Sequence, residues 1–218
     1  MDIKFGRDPS HFSLTAAYLL PLETFKGGNS KGAYKLQPDG GYVYTCFTSD
    51  FFLEEADPFR VEAWKAIRLR SDLHFYIPTK RIYRFLNCIP PDWGDGYGNV
   101  TISCTIENQA MADKRLSFFV SLPIKRREII VEPMLEPIDI SSYLSGISHV
   151  TAGGESGDEA RVCKLQWFID LQRQCKAASI PFWFKQTGAK FINEKGHRIK
   201  VARMNQQRLA ESYRLSFS

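Results

Sequence analysis

Six short apolar runs along the chain each stop at a small cluster of polar or glycine residues. Tyr42 to Phe47 ends at Thr48, Ser49 and Asp50, and Leu73 to Pro78 ends at Thr79, Lys80 and Arg81. Val100 to Cys104 ends at Thr105, Glu107 and Asn108, and Ile129 to Val131 ends at Glu132. His149 to Ala152 ends at Gly153, Gly154, Glu155 and Ser156, and Pro181 to Phe184 ends at Lys185 and Gln186. Such runs read as buried strands. In a parallel α/β sheet or barrel all strand C-termini lie on one face, so the pattern predicts that these clusters gather at one mouth.

Helical spacing fills the intervals. Asp57-Pro58 predicts a helix start, with Asp as N-cap and Pro at the first helical position, followed by Val61, Trp64 and Ile67 on one face. Ile82, Phe85 and Leu86 predict a short helix, and Asn108 to about Phe119 a longer one. Pro90 to Gly98 reads as a loop, and between Pro137 and His149 only Ile138 to Leu144 could be a short helix. His149 to Lys185 reads as a strand, a glycine turn, a helix carrying Val162, Leu165, Phe168, Leu171 and Cys175 on one face, and a strand, which is a βαβ unit. Phe191-Ile192 and Ile199 to Val201 flank Glu194-Lys195-Gly196 as a hairpin, and a polar helix from about Asn205 closes the chain. Residues 1–40 read as irregular, with a loop at Gly27 to Ser30 and a turn at Pro38 to Gly41. The expected fold is α/β: a partial (β/α) barrel of about six mainly parallel strands in a single domain, with its core at 41–188 and a C-terminal hairpin and helix at 189–218.

Composition narrows the picture in three places. No apolar stretch approaches the roughly 20 residues of a membrane span, which predicts a cytoplasmic protein with no membrane partner. The net charge is +5; Arg and Lys are scattered, with local density at Lys125 to Arg127 and at Arg198 to Arg203, which reads as a solvated basic surface and also admits a nucleotide or nucleic acid as partner. The five cysteines are odd in number and widely spaced, fitting neither a disulfide framework nor a zinc knuckle, so they read as core residues and no metal site is expected.

The strand-end clusters hold the candidate chemistry. Gly153-Gly154-Glu155-Ser156-Gly157 lets backbone approach a ligand, with amides at a helix start facing an anion, or else is a tight turn with its own capping. Lys80 and Arg81 offer cations for a carboxylate or phosphate, or are surface charge. Glu107, Asn108 and Glu132 could accept hydroxyl or amino groups; alternatively Asn108 caps the next helix and Glu132 pairs with Lys80, Arg81 or Lys185. Ser49 and Asp50 form a further polar end. His11, His74, His149 and His197 make no ligand-spaced pair, and no nucleophile elbow is present. These residues name no reaction.

Taken in order, Thr48-Ser49-Asp50-Phe51-Phe52, Thr79-Lys80-Arg81, Thr105-Ile106-Glu107-Asn108-Gln109, Glu132-Pro133-Met134-Leu135-Glu136-Pro137-Ile138-Asp139, Gly153 to Gly157 with Ala160-Arg161, and Phe184-Lys185-Gln186-Thr187-Gly188 resemble a phage-associated family of unknown function. That family is placed among radical S-adenosylmethionine-like barrels, and the resemblance covers about residues 40 to 190. It implies a site at the C-terminal mouth, with Ser49, Asp50, Lys80, Arg81, Glu107, Asn108, Glu132, Gly153, Gly154 and Glu155 binding S-adenosylmethionine and substrate. Lys80 or Arg81 would hold a carboxylate; Glu107 or Glu132 would hold ribose hydroxyls or the amino group. Full-length relatives carry three closely spaced cysteines that hold a [4Fe–4S] cluster. This sequence departs from them: its first cysteine is Cys46, inside a strand, so no cofactor is expected in the chain as written. A shortened chain and a genuine loss of the cluster are the two expectations. The first reading is an enzyme scaffold inactive as written; the alternative, in which the barrel has lost the cluster, is a non-catalytic nucleotide or nucleic-acid binding module. The missing first strand would be covered by residues 15–22 or by a second copy in a homodimer.

Overall fold

A computed structural model describes residues 42–46 and 49–218. The expectations for residues 1–40, for the covering segment 15–22 and for Phe47 and Thr48 lie outside the described residues.

The strands are β1 (Tyr42–Tyr44), β2 (His74–Thr79), β3 (Val100–Ile106), β4 (Arg126–Val131), β5 (His149–Gly153), β6 (Cys163–Lys164), β7 (Phe182–Gln186), β8 (Lys190–Ile192) and β9 (Arg198–Lys200). The α-helices are α1 (Asp57–Leu69), α2 (Phe85–Cys88), α3 (Gln109–Phe119), α4 (Leu165–Ala177) and α5 (Arg203–Ser212). Six parallel strands form one open sheet in the order β1-β2-β3-β4-β5-β7, and β6-β8-β9 form a small second sheet. The expected α/β partial barrel is the fold observed. Among the described residues no helix is long and apolar enough to cross a membrane.

The chain divides into two compact units, one running to Ile102 with Pro123–Arg126 added, the other Ser103–Leu122 with Arg127–Ser218. In the first, β1 pairs parallel with β2, Val43 beside Phe75. Helix α1 buries Ala63, Trp64, Ala66 and Ile67. Trp64 packs edge-on against Phe51 and Trp93 and donates its ring N–H to the Cys88 carbonyl at 2.7 Å. Val61, expected on the buried face, is 62% exposed. The expected Asp57 cap is also corrected: α1 begins at Asp57 itself, Ala56 precedes it, and no side chain caps the end. The Asp57 carboxylate instead takes Arg60 and Arg84 as partners, two guanidiniums that compete successfully with a backbone N–H.

In the second unit β4, β5 and β7 lie side by side, with Ile130, Thr151 and Trp183 in one row. Side chains alternate across the sheet. Ile129, Val131, Val150, Ala152, Phe182 and Phe184 are all fully buried. The other face carries Glu128, Ile130, His149, Thr151, Trp183 and Lys185 and is mostly polar. Phe168 of α4 stacks on Phe184 at 4.2 Å. The predicted βαβ unit is present, with one correction. Helix α4 starts at Leu165, not after the glycine turn, so Val162 precedes the helix and Cys163–Lys164 are strand β6 beside Phe191 and Ile192. The amides of Gly153 to Gly157 therefore do not open a helix. The predicted hairpin is β8–β9, antiparallel, and the last helix begins at Arg203. Past it, Phe217 exchanges both backbone hydrogen bonds with Phe182, at 2.9 Å each, and Ser216 Oγ accepts the Phe184 N–H.

Candidate ligand-binding site

In the second unit the ends of β4, β5 and β7 place Glu132 at the centre of a polar network. Its carboxylate lies directly over Gly153; a Cβ there would sit 2.8 Å from Glu132 Oε1, so only glycine leaves the carboxylate its place. Glu132 Oε2 accepts from Lys185 Nζ at 2.8 Å. Glu132 Oε1 accepts from Gln186 Nε2, which also reaches the Gly154 carbonyl at 3.2 Å. Glu132 is 18% exposed and Lys185 38%. Ser156 Oγ lies 3.0 Å from Gln186 Oε1 and 2.8 Å from Gln206 Oε1, so its one proton serves one amide oxygen at a time. Gln206 is buried and donates to the Val201 carbonyl at 3.2 Å.

The neighbouring candidates have partners of their own. Gly154 is a packing glycine: a Cβ would fall 2.3 Å from the Thr187 carbonyl oxygen and 2.7 Å from Cys163 Sγ. Glu155 accepts from the Arg161 backbone N–H, Nε and Nη2, each within 2.8 Å. That guanidinium holds the carboxyl down to about 2. Glu107 pairs with Arg115 at 2.6 Å, and Arg115 also donates to the Thr105 carbonyl. Glu107 also contributes to the field at Arg161. Asn108 caps α3, its Oδ1 accepting the Met111 N–H at 2.9 Å.

The first unit holds the other candidates. Asp50 is 6% exposed. Its carboxylate accepts from Phe52 N–H, Thr79 Oγ1 and Lys80 N–H at 2.8–2.9 Å, with Arg81 at 3.4 Å. It therefore ties the end of β2 to the loop after β1. Ser49 Oγ is buried and has no hydrogen-bond partner among the described residues.

The unit thus brings Glu107, Asn108, Glu132, Gly153, Gly154 and Glu155 to strand ends, while Ser49, Asp50, Lys80 and Arg81 belong to the first unit. Sequence reasoning named Ser156 and Gln186 at strand ends without giving their side chains a binding role, and it missed Arg115 and Gln206. Arg115 sits two turns into the helix that Asn108 caps, which was the only available signal; Gln206 is 50 residues from Ser156 and carried none.

Among the described residues no group of three His, Cys, Asp or Glu side chains is placed to hold a metal ion. Cys88, Cys104, Cys163 and Cys175 are buried. Burial pushes Cys163 and Cys175 up to about 12, keeping them as neutral thiols at physiological pH. The described cysteines do not fit an iron–sulfur cluster.

A family model described as a protein of unknown function (DUF5131) matches residues 31–213. The chain belongs to that family. No curated protein and no solved structure matches the chain. The DUF5131 stretch contains every member of the Glu132 network and both compact units' candidate residues, and stops short of Phe217.

Proposed function

We propose that this DUF5131 chain is a binding scaffold related to the phage-associated radical S-adenosylmethionine-like barrels, and that its second unit takes a nucleoside ligand with an amino-acid end. The order of the strand-end motifs supports the relationship. The observation that carries the ligand is the Glu132–Lys185 pair: a part-exposed anion and cation 2.8 Å apart, reaching across β5 from the ends of β4 and β7. Such a pair is complementary to a zwitterion. The ligand's ammonium replaces Lys185 at Glu132 while its carboxylate takes the released Lys185, so charge is exchanged without leaving either group unpaired. Gln186, held between Glu132 and the Gly154 carbonyl, fixes the carboxylate's orientation. Because the described cysteines do not fit a cluster, no radical step is assigned to these residues.

Titration calorimetry with S-adenosylmethionine and S-adenosylhomocysteine tests this. Binding is expected, and Glu132→Gln should weaken it at least about tenfold, which is about 1.4 kcal/mol. The exposed Lys65→Gln change should leave it unaltered. No binding of either compound overturns the proposal. Binding of nucleoside phosphates in their place, sensitive to Lys185→Gln, would replace it with a nucleotide-binding module.

A further inference from the structure

The small sheet β6-β8-β9 carries a second feature that the Glu132 site does not use. Lys190 stands directly opposite Lys200, and Ile192 opposite Arg198 on one side and Lys164 on the other. Cross-strand partners project from the same face. Phe191, between Lys190 and Ile192, points the other way into the core and is fully buried. The outward face therefore presents Lys164, Lys190, Arg198 and Lys200 around one half-buried isoleucine. None of the four cations forms an ion pair among the described residues. The field of Glu155 reaches Lys190, but Glu155 is already held at both oxygens by Arg161. The hairpin's own carboxylate, Glu194, accepts from the Tyr213 hydroxyl at 3.0 Å, and that ring packs on Phe191 behind the sheet.

Like charges directly opposite each other destabilise a sheet. A single Lys→Thr change would remove the repulsion, yet the fold keeps it. The stretch Lys190 to Arg208 holds six cations (Lys190, Lys195, Arg198, Lys200, Arg203, Arg208) and one carboxylate (Glu194), an excess equal to the whole chain's net charge of +5. The ammonium of Lys164 lies over the Trp167 ring, 5.8 Å from its centre, which puts an aromatic ring beside the cations.

We infer that this face binds the phosphate backbone of a nucleic acid strand. Cations on neighbouring strands are about 4.8 Å apart and those two residues apart on one strand about 6.8 Å, a grid that can meet successive phosphates. An open sheet face with an aromatic beside it is a surface on which a single strand can lie with a base stacked. A membrane fits less well. Interfacial binding needs an apolar face to insert, and the only apolar side chain on this one is half-buried Ile192. The surface is separate from the Glu132–Lys185 pair, so either assignment can fail alone.

Fluorescence anisotropy with labelled single-stranded RNA, single-stranded DNA and duplex DNA, each over a salt series, tests the inference on the full chain. Binding is expected to one or both single strands, weakening as salt rises. The triple variant Lys190→Gln/Arg198→Gln/Lys200→Gln should lose at least about tenfold in affinity at low salt. It should also reduce the log–log salt slope by about 2, from roughly 0.7 per phosphate contact. A control with the same net charge, Lys65→Gln/Lys114→Gln/Lys176→Gln, should keep the affinity within about twofold, because one surface and not overall charge is responsible. Lys200→Thr alone should weaken binding while raising the melting temperature, a combination that a merely structural lysine would not give. Equal losses in the triple variant and the control would overturn the inference. So would an absence of nucleic-acid binding, including the case in which phosphatidylserine vesicles capture the protein instead.

Discussion

At the scale of single residues, most carboxylates at the strand ends are satisfied by the protein itself, and this makes their contributions measurable. Asp50 is the most committed: buried, and bonded to two backbone N–H groups and a hydroxyl. Asp50→Ala leaves those donors without an acceptor and should cost about 3 kcal/mol, read as a fall in the urea midpoint at constant slope. Glu155 gives a pH signature. Its carboxyl titrates near 2 in the folded protein against an ordinary value of 4.5. The stabilisation is therefore complete above pH 4.5 and disappears as the pH falls toward 2. Arg161 is 60% exposed, so solvent screening reduces the effect to about 1 kcal/mol. Arg161→Ala removes the guanidinium but keeps the residue-161 backbone N–H on Glu155, so it should make that acid-side slope of a stability–pH profile shallower and leave the profile above pH 5 parallel to the original. Which residues stand at strand ends was legible in the sequence, because apolar runs stop where strands stop. Their partners were only partly legible. Lys185 was one of three cations that Glu132 could reach, and only the register of β4, β5 and β7 selects it. Asn108 as a cap was readable because capping is local in sequence.

Among elements, the strands and the longer helices follow the apolar periodicity closely, because burial on one or both faces leaves little freedom of register. The departures have local causes. Asp57 leaves its expected cap because Arg60 and Arg84 reach it. Helix α4 starts late because residues 163–164 are drawn into a parallel pairing with β8, an interaction that a two-residue strand cannot announce in sequence. The glycine turn is where sequence gave two readings. The structure gives Gly154 a packing role at the crossing of residues 154 and 187. Gly154→Ala should therefore cost about 2–3 kcal/mol by forcing backbone apart. Gly98→Ala, where an added Cβ meets nothing within 4 Å, should change the melting temperature little. A pair of thermal melts decides this. Within the small sheet, replacing Lys200 with Thr should gain about 0.5 kcal/mol by ending its opposition to Lys190.

For the whole molecule, composition announced correctly that four of the five cysteines, Cys88, Cys104, Cys163 and Cys175, belong to the core; Cys46, expected inside a strand, is half-buried and lies two residues past the end of β1 with a φ of +53°. At most one of the five thiols should react rapidly with a disulfide reagent at pH 8, and all five after unfolding in guanidinium; several fast thiols in the native protein would contradict this burial. The excess positive charge was visible as a run of letters, but the gathering of Lys164, Lys190, Arg198 and Lys200 on one sheet face required the registers of β6, β8 and β9. The segment that Phe217 lays alongside Phe182 has a practical consequence. It acts as a shutter on a row of backbone donors and acceptors at the rim of the large sheet. The shutter hangs from Arg214, an exposed residue with a φ of +51° and a natural point of attack for trypsin-like enzymes. Cleavage there would free Leu215 to Ser218 and leave the rim bare, so clumping in a stored sample should track the loss of those four residues by mass spectrometry.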